Sequence, residues 1–541
     1  MSRRLLPRAR RNAPPPPPTV AALLRLPILL ILLIGVLGSA VALAYTDRLV
    51  NRGVVWGAAQ TPIPAAAGNP LGVNLFLEKE ADQDVRHTLR VARDGGFRWI
   101  RQGFPWNDLE IAGKGDFTDR RDKNAPPKSA WDKYDFIVDQ AAAYGLTLVV
   151  RLDAPPDWAR LCPVSHSAPA HNSDYADFVS AVVSRYRGKV RYFQIWNEPN
   201  LEGEWAGKLD GQCVRHPNAA EYSALLKAAY QAAHAANPDV VILMAPLAQT
   251  VETGPANLSD LLYLQGMYDA GAKPYFDVAN VMAYGLGQGP DDRRAEPERI
   301  NFARPVLTRE IMTRNGDGGK AVWASEVGWM SLPPDWTGKP GIWGTVAEAT
   351  QADYLVGAFQ RARAEWPWMG PLFVWHLRDP TPLDREPQPY FGILNADWTA
   401  RPAFTALQRY ARRFPIADTG AGRADDPALT TAGSWQHAVL GGQPVYTATD
   451  PTASATLAFQ GTGVDLLFVP GSEATRVQLT IDGAPPPGWP RDPTGQAVVF
   501  IPARGSAADR VQPDPTWPAP PGESALRVRV AAGLPFGPHT A

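Results

Sequence analysis

The sequence predicts an α/β protein: a (β/α)8 barrel, followed by a small antiparallel β-sandwich and preceded by one transmembrane helix. Three observations carry this expectation. Between residues 69 and 415, eight apolar, β-rich runs alternate with helix-period segments. After that the texture changes to short alternating runs separated by Gly/Pro turns. Near the start, residues 26–45 contain no charged side chain.

Residues 1–25 open with "MSRRLLPRARRNAPPPPP", basic and proline-rich. Such a segment buries too little apolar surface to order itself and is read as a disordered cytoplasmic tail. Residues 26–45, "LPILLILLIGVLGSAVALAY", are long enough to span a bilayer, which takes about 20 apolar residues. Arg3, Arg4, Arg8, Arg10, Arg11 and Arg25 precede the run, so the N-terminus stays cytoplasmic and the bulk of the chain is exported. A secreted protein released by a signal peptidase is the alternative, because "ALA" at 42–44 has the form of a cleavage site. The run exceeds the roughly 7–15 residues of a signal core, which favours an anchor in the cell membrane. Residues 46–68 read as a linker.

The barrel strands are "NPLGVNLF", "FRWIRQGF", "LTLVVRLD", "VRYFQIW", "VVILMAP", "FDVANVMAYG", "AVWASEVG" and "PLFVWHLRD". Amphipathic stretches such as "DQDVRHTLRVARDGG" and "NAAEYSALLKAAYQAAHAAN" separate them, and "RPAFTALQRYARRF" ends the series. Near-continuous apolar strands that alternate with helices mean a parallel sheet covered by helices. Eight such units close into a barrel whose chemistry lies at the C-terminal strand ends.

A linker, 416–430, leads to the sandwich, 431–541. Its strands are "ATLAFQ", "VDLLFV", "RVQLTIDG", "AVVFIP" and "ALRVRV". "GLPFGPHT" reads as a turn leading into a further strand, so the sandwich is expected to lack one. It holds no catalytic constellation; packing against the barrel and binding carbohydrate are both open roles.

Composition narrows the function. Lys+Arg number 53 against 54 Asp+Glu, so no basic footprint for nucleic acid exists. Eighteen tryptophans must fill a core or line a ligand surface, and the C–H faces of sugars stack well on indoles. The two cysteines, Cys162 and Cys213, show no metal spacing; in an exported protein they read as one disulfide, with two free thiols the alternative. No H-E-x-x-H or G-x-S-x-G motif occurs, and "YGLGQGP" runs into Pro290 and "DDRR" rather than a helix. No metal or cofactor is expected, and the chain is read as a monomer.

Two glutamates stand out. In "IWNEPN", Glu198 lies between Asn197 and Pro199; Pro199 cannot donate to a ladder, so the fourth strand must stop there. In "KAVWASEVGW", Glu326 ends the seventh. Two carboxyl groups facing one cleft are what glycoside hydrolysis requires, one as acid and one as nucleophile or base.

With these motifs in hand, residues 69–415 resemble a clan A retaining glycoside hydrolase, nearest in texture to families 39 and 5. "WNEP", "SEVGW", "RQGFPWNDLE", "VWHLRD", "QADYL" and "YFGIL" carry the resemblance. It implies Glu198 as acid/base and Glu326 as nucleophile, cleaving β-glycosidic bonds of an oligo- or polysaccharide. By the same resemblance Asn197 bonds the sugar 2-OH, Arg101 keeps Glu326 ionised, Tyr284 donates to that carboxylate and Trp375 is a sugar platform. Family 39 members commonly carry a His two residues before the strand-6 tyrosine; here Met282 stands there, which leaves that substrate contact in doubt. Trp106, Trp158, Trp205, Trp329 and His376 lie near strand ends, where each either lines a subsite or packs a loop. The alternative function is a membrane-tethered, non-catalytic carbohydrate-binding protein.

Overall fold

The computed structural model describes residues 20–54, 63, 65–66, 71–380, 385–413, 417, 424, 428–440, 443–504 and 526–541. The chain divides into two units, Met1–Arg52 and Gly53–Ala541.

Among the described residues of the first unit there is one helix, α1 (Val20–Val50). Its stretch Pro27–Arg48 is long and apolar enough to be a membrane span or a signal sequence. The helix starts earlier than the apolar run, because "VAALLR" (20–25) consists mostly of good helix formers. Of the tail expected at 1–25, residues 1–19 lie outside the described residues.

In the second unit the barrel strands are β1 (Leu71–Asn74), β2 (Trp99–Gly103), β3 (Thr147–Leu152), β4 (Tyr192–Ile195), β5 (Val241–Leu243), β6 (Ala279–Met282), β7 (Val322–Val327) and β8 (Met369–Val374). Helices α2 (Asp82–Asp94), α3 (Asp132–Ala143), α4 (Asn172–Arg185), α5 (Ala219–Ala236), α6 (Asp260–Asp269), α7 (Pro305–Arg314), α8 (Glu348–Glu365) and α9 (Pro402–Arg413) follow them one by one. The sheet order is β6-β7-β8-β1-β2-β3-β4-β5, with parallel pairing throughout. Parallel bridges Leu243↔Val278 and Leu247↔Val281 join its two ends. The expected barrel is therefore present.

Its sequence logic is direct. β7 and β8 are buried along their whole length, as strands covered on both faces must be. In α2, Val85, Leu89 and Ala92 form a buried stripe, while Asp82 and Asp84 near its start and Arg93 near its end suit the helix dipole. Burying a side chain such as Leu89 contributes about 1.5–3 kcal/mol. Asn218 caps α5 by accepting from the amides of Ala220 and Glu221. After α2, Gly96 has φ +88°, and a Cβ there would lie 2.4 Å from the Ala411 Cβ of α9. Both the backbone and the approach of α9 call for glycine.

Among the described residues, the C-terminal segment forms a three-stranded antiparallel sheet and two antiparallel pairs. Its strands are β9 (Leu429–Ala432), β10 (Gln436–Leu440), β11 (Gln443–Thr447), β12 (Ser454–Phe468), β13 (Thr475–Leu479), β14 (Ala497–Ile501) and β15 (Leu526–Thr540). The three-stranded order is β9-β12-β15, and β10-β11 and β13-β14 pair separately. Phe459, Leu479, Val499, Ile501 and Val530 lie in a core of their own.

One expectation is corrected here. "GLPFGPHT" does not precede a missing strand; it lies within β15, which pairs with β12 up to Gly463↔Ala532, bulges, and pairs again from Gly461↔Gly537 to Ala458↔Thr540. β15 lies at the sheet edge, where Pro535 and Pro538 need not donate to a further neighbour. Most of the expected 416–430 linker lies outside the described residues, but Ala417 bridges Phe459, and β9 begins at Leu429.

Candidate active site

A polar layer crosses the inside of the barrel. Asn74 (β1), Arg101 (β2), Gln194 (β4), Asn280 (β6) and Ser325 with Glu326 (β7) are all buried there. Such groups are tolerable only when bonded to one another, and they are. Arg101 donates from Nε to Gln194 Oε1 (2.7 Å), from Nη1 to Asn74 Oδ1 (2.7 Å) and Glu326 Oε1 (2.9 Å), and from Nη2 to Asn197 Oδ1 (2.8 Å). Asn74 in turn donates to the Ser325 carbonyl at 2.9 Å, and the Ser325 hydroxyl donates to Asn280 Oδ1 at 2.6 Å.

Glu326 is the end point of this network. Tyr284, just beyond β6, donates its hydroxyl to Glu326 Oε2 at 2.5 Å. Burial and the Glu326 charge push the Tyr284 phenol well above its ordinary value, so it stays a donor. Burial pulls Arg101 below its usual range, and the Glu326 charge opposes that fall.

Glu198 sits on a turn beyond β4. Trp196 (φ +71°) and Glu198 (φ +40°) both occupy the left-handed region, which costs a non-glycine residue about 1–3 kcal/mol. Bonds around the turn hold it: Trp196 N to Leu152 O (2.9 Å), Glu198 N to Pro246 O (3.0 Å) and Leu201 N to Glu198 O (3.0 Å). The Glu198 carboxyl is raised well above its ordinary value, first by burial, then by the charges of Glu326 and Glu204. Arg101 and Arg151 act against that rise.

The other residues picked from the sequence separate into two groups. Trp375, just past β8, is half-buried and meets Phe76 edge-on at 5.5 Å. A Cβ on Gly328 would touch both the Trp375 carbonyl (3.0 Å) and the Tyr284 ring (3.5 Å), so the Trp375 backbone lies close to Tyr284.

Of the two roles open to Trp106, Trp205 and Trp329, a subsite wall or loop packing, their burial (0%, 1% and 0% exposure) favours packing, since no ring face is left for a sugar. Each spends its indole N–H inside the protein, as a buried tryptophan must. The acceptors are Glu110 Oε2 (2.6 Å), Glu221 Oε2 (3.3 Å) and the Gln288 carbonyl (2.7 Å) respectively. His376 is also buried, faces the Gln388 carbonyl at 3.4 Å and is pulled down to about 4 by burial, so it is a neutral packing group. Trp158 is half-buried and donates to the Glu110 carbonyl at 3.0 Å. Met282 is buried in β6.

Sequence reading missed several neighbours. Glu204, Arg151, Asp153 and His166 crowd the Glu198 side of the site. Trp343, on the long loop after β7, meets Phe391 edge-on at 5.8 Å, and Phe391 meets Tyr284 at 5.6 Å. Gln194 was detectable as the one amide inside "VRYFQIW". Cys162 and Cys213 are bonded, with Cα atoms 5.8 Å apart. The bond ties the loop after β3 to a hairpin, Gly207–Leu209 with Gln212–Val214, in the loop after β4.

No protein-family model matches the chain, and no curated protein does. Solved structures do. A family 39 glycoside hydrolase from Bacteroides cellulosilyticus is 17% identical, with a TM-score of 0.47, covering 80% of each chain. A family 39 β-xylosidase from Caulobacter crescentus is 16% identical, with a TM-score of 0.45, covering 78% of this chain and 84% of its own. A family 39 enzyme from Xanthomonas axonopodis pv. citri is 15% identical, with a TM-score of 0.44, covering 88% and 94%. The chemical assignment rests on the side chains at the barrel mouth.

Proposed function

We propose that the barrel is a retaining glycoside hydrolase that cleaves β-glycosidic bonds in an oligo- or polysaccharide. The observation that carries the reading is the contrast between its two carboxyl groups. Glu326 accepts from the Arg101 guanidinium and the Tyr284 hydroxyl, two bonds that favour a carboxylate. Glu198, close enough to feel the Glu326 charge, is held in its protonated form by burial and by that charge. A buried acid held protonated beside a carboxylate that is bonded to a cation and a phenol fits the roles of acid and nucleophile.

In the first step Glu326 attacks the anomeric carbon as the bond to the leaving oxygen breaks, and the Glu198 proton goes to that oxygen. Ester formation removes the Glu326 charge, so Glu198 becomes a stronger acid and, ionised, a base. It then takes a proton from water, whose oxygen displaces Glu326 and restores both groups. Asn197 Oδ1 is engaged by Arg101, which leaves the Asn197 amide N–H groups as donors for a sugar hydroxyl. We also infer that α1 is a membrane anchor with the barrel exported, where the Cys162–Cys213 bond is stable.

The experiment is turnover on β-glucans, mannans, xylans and exopolysaccharides, with anomeric configuration followed by NMR. Release of the β-anomer first supports the reading. Initial release of the α-anomer would mean inversion. Glycan binding without any release would instead favour a non-catalytic carbohydrate-binding protein.

A further inference from the structure

Glu198 shares its turn with a second acid. The Glu204 amide donates to the Leu201 carbonyl (3.1 Å), and Leu201 is itself bonded to Glu198 (3.0 Å). The Trp196 indole, one side of the same turn, donates to the Glu204 carbonyl at 2.9 Å. The backbone that aims Glu198 therefore also fixes Glu204.

From the loop after β3 comes His166, whose Nδ1 stands 3.2 Å from Glu204 Oε2; the Glu204 side chain is only 27% exposed. His166 itself has φ +55°, a conformation held by its neighbours. Ala206 N donates to the His166 carbonyl (3.2 Å), and Ala168 N to the Ala206 carbonyl (2.7 Å). The disulfide clamps the same two loops. The titratable and charged groups around Glu204 are His166 from that loop, Arg151 and Asp153 at the end of β3, Glu326 from β7 and Glu198 on its own turn. Arg151 pairs with Asp153 through Nε at 2.9 Å.

We propose that Glu204 is a positioning residue: as a carboxylate beside His166, it keeps the proton on Glu198 until the leaving oxygen takes it. This rests on Glu198 being the acid/base, as argued above. Two neighbouring acids in a buried site do not both ionise readily, so the cations decide which one keeps its proton. Burial raises the Glu204 carboxyl too, but His166 and Arg151 act against that rise. Glu198 is raised well above its ordinary value, so Glu204 is the one that ionises first. Among the described residues, no cation is bonded to the Glu198 carboxyl. The Glu204 charge stands behind only burial and Glu326 in raising Glu198.

The arrangement also serves the second step. Once Glu326 is esterified its charge is gone, whereas the charge of Glu204 remains. Glu198 then keeps enough basicity to accept a proton from water, where a carboxylate relieved of both neighbours would be a weaker base.

The test is an infrared difference titration of the full chain, with the Glu198 carboxyl band identified as the one lost in Glu198→Gln. In Glu204→Gln, close in shape but uncharged, the Glu198 midpoint should fall by about half a pH unit or more. The basic limb of kcat/KM should move to lower pH with it. Glu204→Asp keeps the charge and should restore most of the shift. An unmoved Glu198 midpoint in Glu204→Gln, or an aspartate variant that behaves like the glutamine one, would overturn the proposal. The titration needs no substrate, so a wild-type protein without turnover would remove the hydrolase reading while the role of Glu204 could still be read.

Discussion

Arg101 Nη1 donates to Glu326 Oε1 at 2.9 Å, in a pair whose side chains are 2% and 7% exposed. At that depth neither charge has water to fall back on. Replacing both by apolar groups can be nearly neutral, but removing one strands the other at a cost of about 3–5 kcal/mol.

Arg101→Ala is therefore expected to lower stability by about 3–5 kcal/mol. It should also leave Asn74 Oδ1 and Asn197 Oδ1 without their arginine donor, and Gln194 Oε1 with only its longer contacts to Ser325 and Asn280. Arg101→Lys should rescue little, because one ammonium cannot serve four acceptors spread around a planar fork. Urea denaturation with activity measured on the folded fraction reads both effects. A lysine variant with parental midpoint and turnover would refute the account of this network.

Glu198 gives a prediction in which catalysis and stability move in opposite directions. Its folded pKa is raised, so its favourable contribution is complete below the unfolded value and lost as pH rises through the folded one. Glu198→Gln should thus stabilise the fold at alkaline pH and change nothing in strongly acid solution. The same variant should lose about 10²- to 10⁴-fold in turnover of substrates with poor leaving groups. Aryl glycosides with activated leaving groups need no proton in the first step and should show a smaller loss there. Melting curves between acid and alkaline pH check the first part. Identical pH dependence of the two proteins would mean that Glu198 is not held protonated.

The barrel and this pair were legible because each depends on the chain's own direction. An apolar run covered on both faces marks a strand, and Pro199 marks where β4 must stop, so Glu198 could be placed at the barrel mouth from sequence. Side-chain direction could not. Trp106, Trp205 and Trp329 also lie near strand ends, yet they turn inward and bond Glu110, Glu221 and Gln288. Glu204 was unreadable for a related reason. Its meaning comes from His166 on another loop, brought beside it by folding rather than by spacing. In β15, Gly and Pro looked like a turn because the edge position that tolerates them is a property of the sheet.

The Cys162–Cys213 bond closes a loop with a sequence separation of 51 residues. On the chain-entropy model, opening such a loop in the unfolded state is worth about 4 kcal/mol. Cys162→Ser with Cys213→Ser should lose up to that amount, and the reduced wild type should match it. Denaturation with and without reductant checks this. Equal stability of the oxidised and reduced protein would show that the loops hold together without the bond.

The aromatic rings make the last prediction a comparison between two tryptophans. The Trp375 backbone carbonyl lies at Gly328 beside Tyr284, and its half-buried ring, which meets Phe76, is taken as the ring nearest the reacting sugar. Trp343 stands farther out, beyond Phe391 in the row Tyr284–Phe391–Trp343, on the loop after β7 whose Ile342 is 79% exposed. A ring beside the scissile bond is felt by every substrate; a ring one residue farther out is felt only by a chain long enough to reach it. Trp375→Ala should therefore lower kcat/KM for both a small aryl glycoside and a polymer. Trp343→Ala should raise KM for the polymer, by about tenfold for a lost stacking contact of about 1.4 kcal/mol, and leave the small substrate unchanged. Parallel kinetics on the two substrates separate these cases. If Trp343→Ala weakens both equally, the loop after β7 shapes the catalytic centre itself, and the row of rings is not a path for a bound chain.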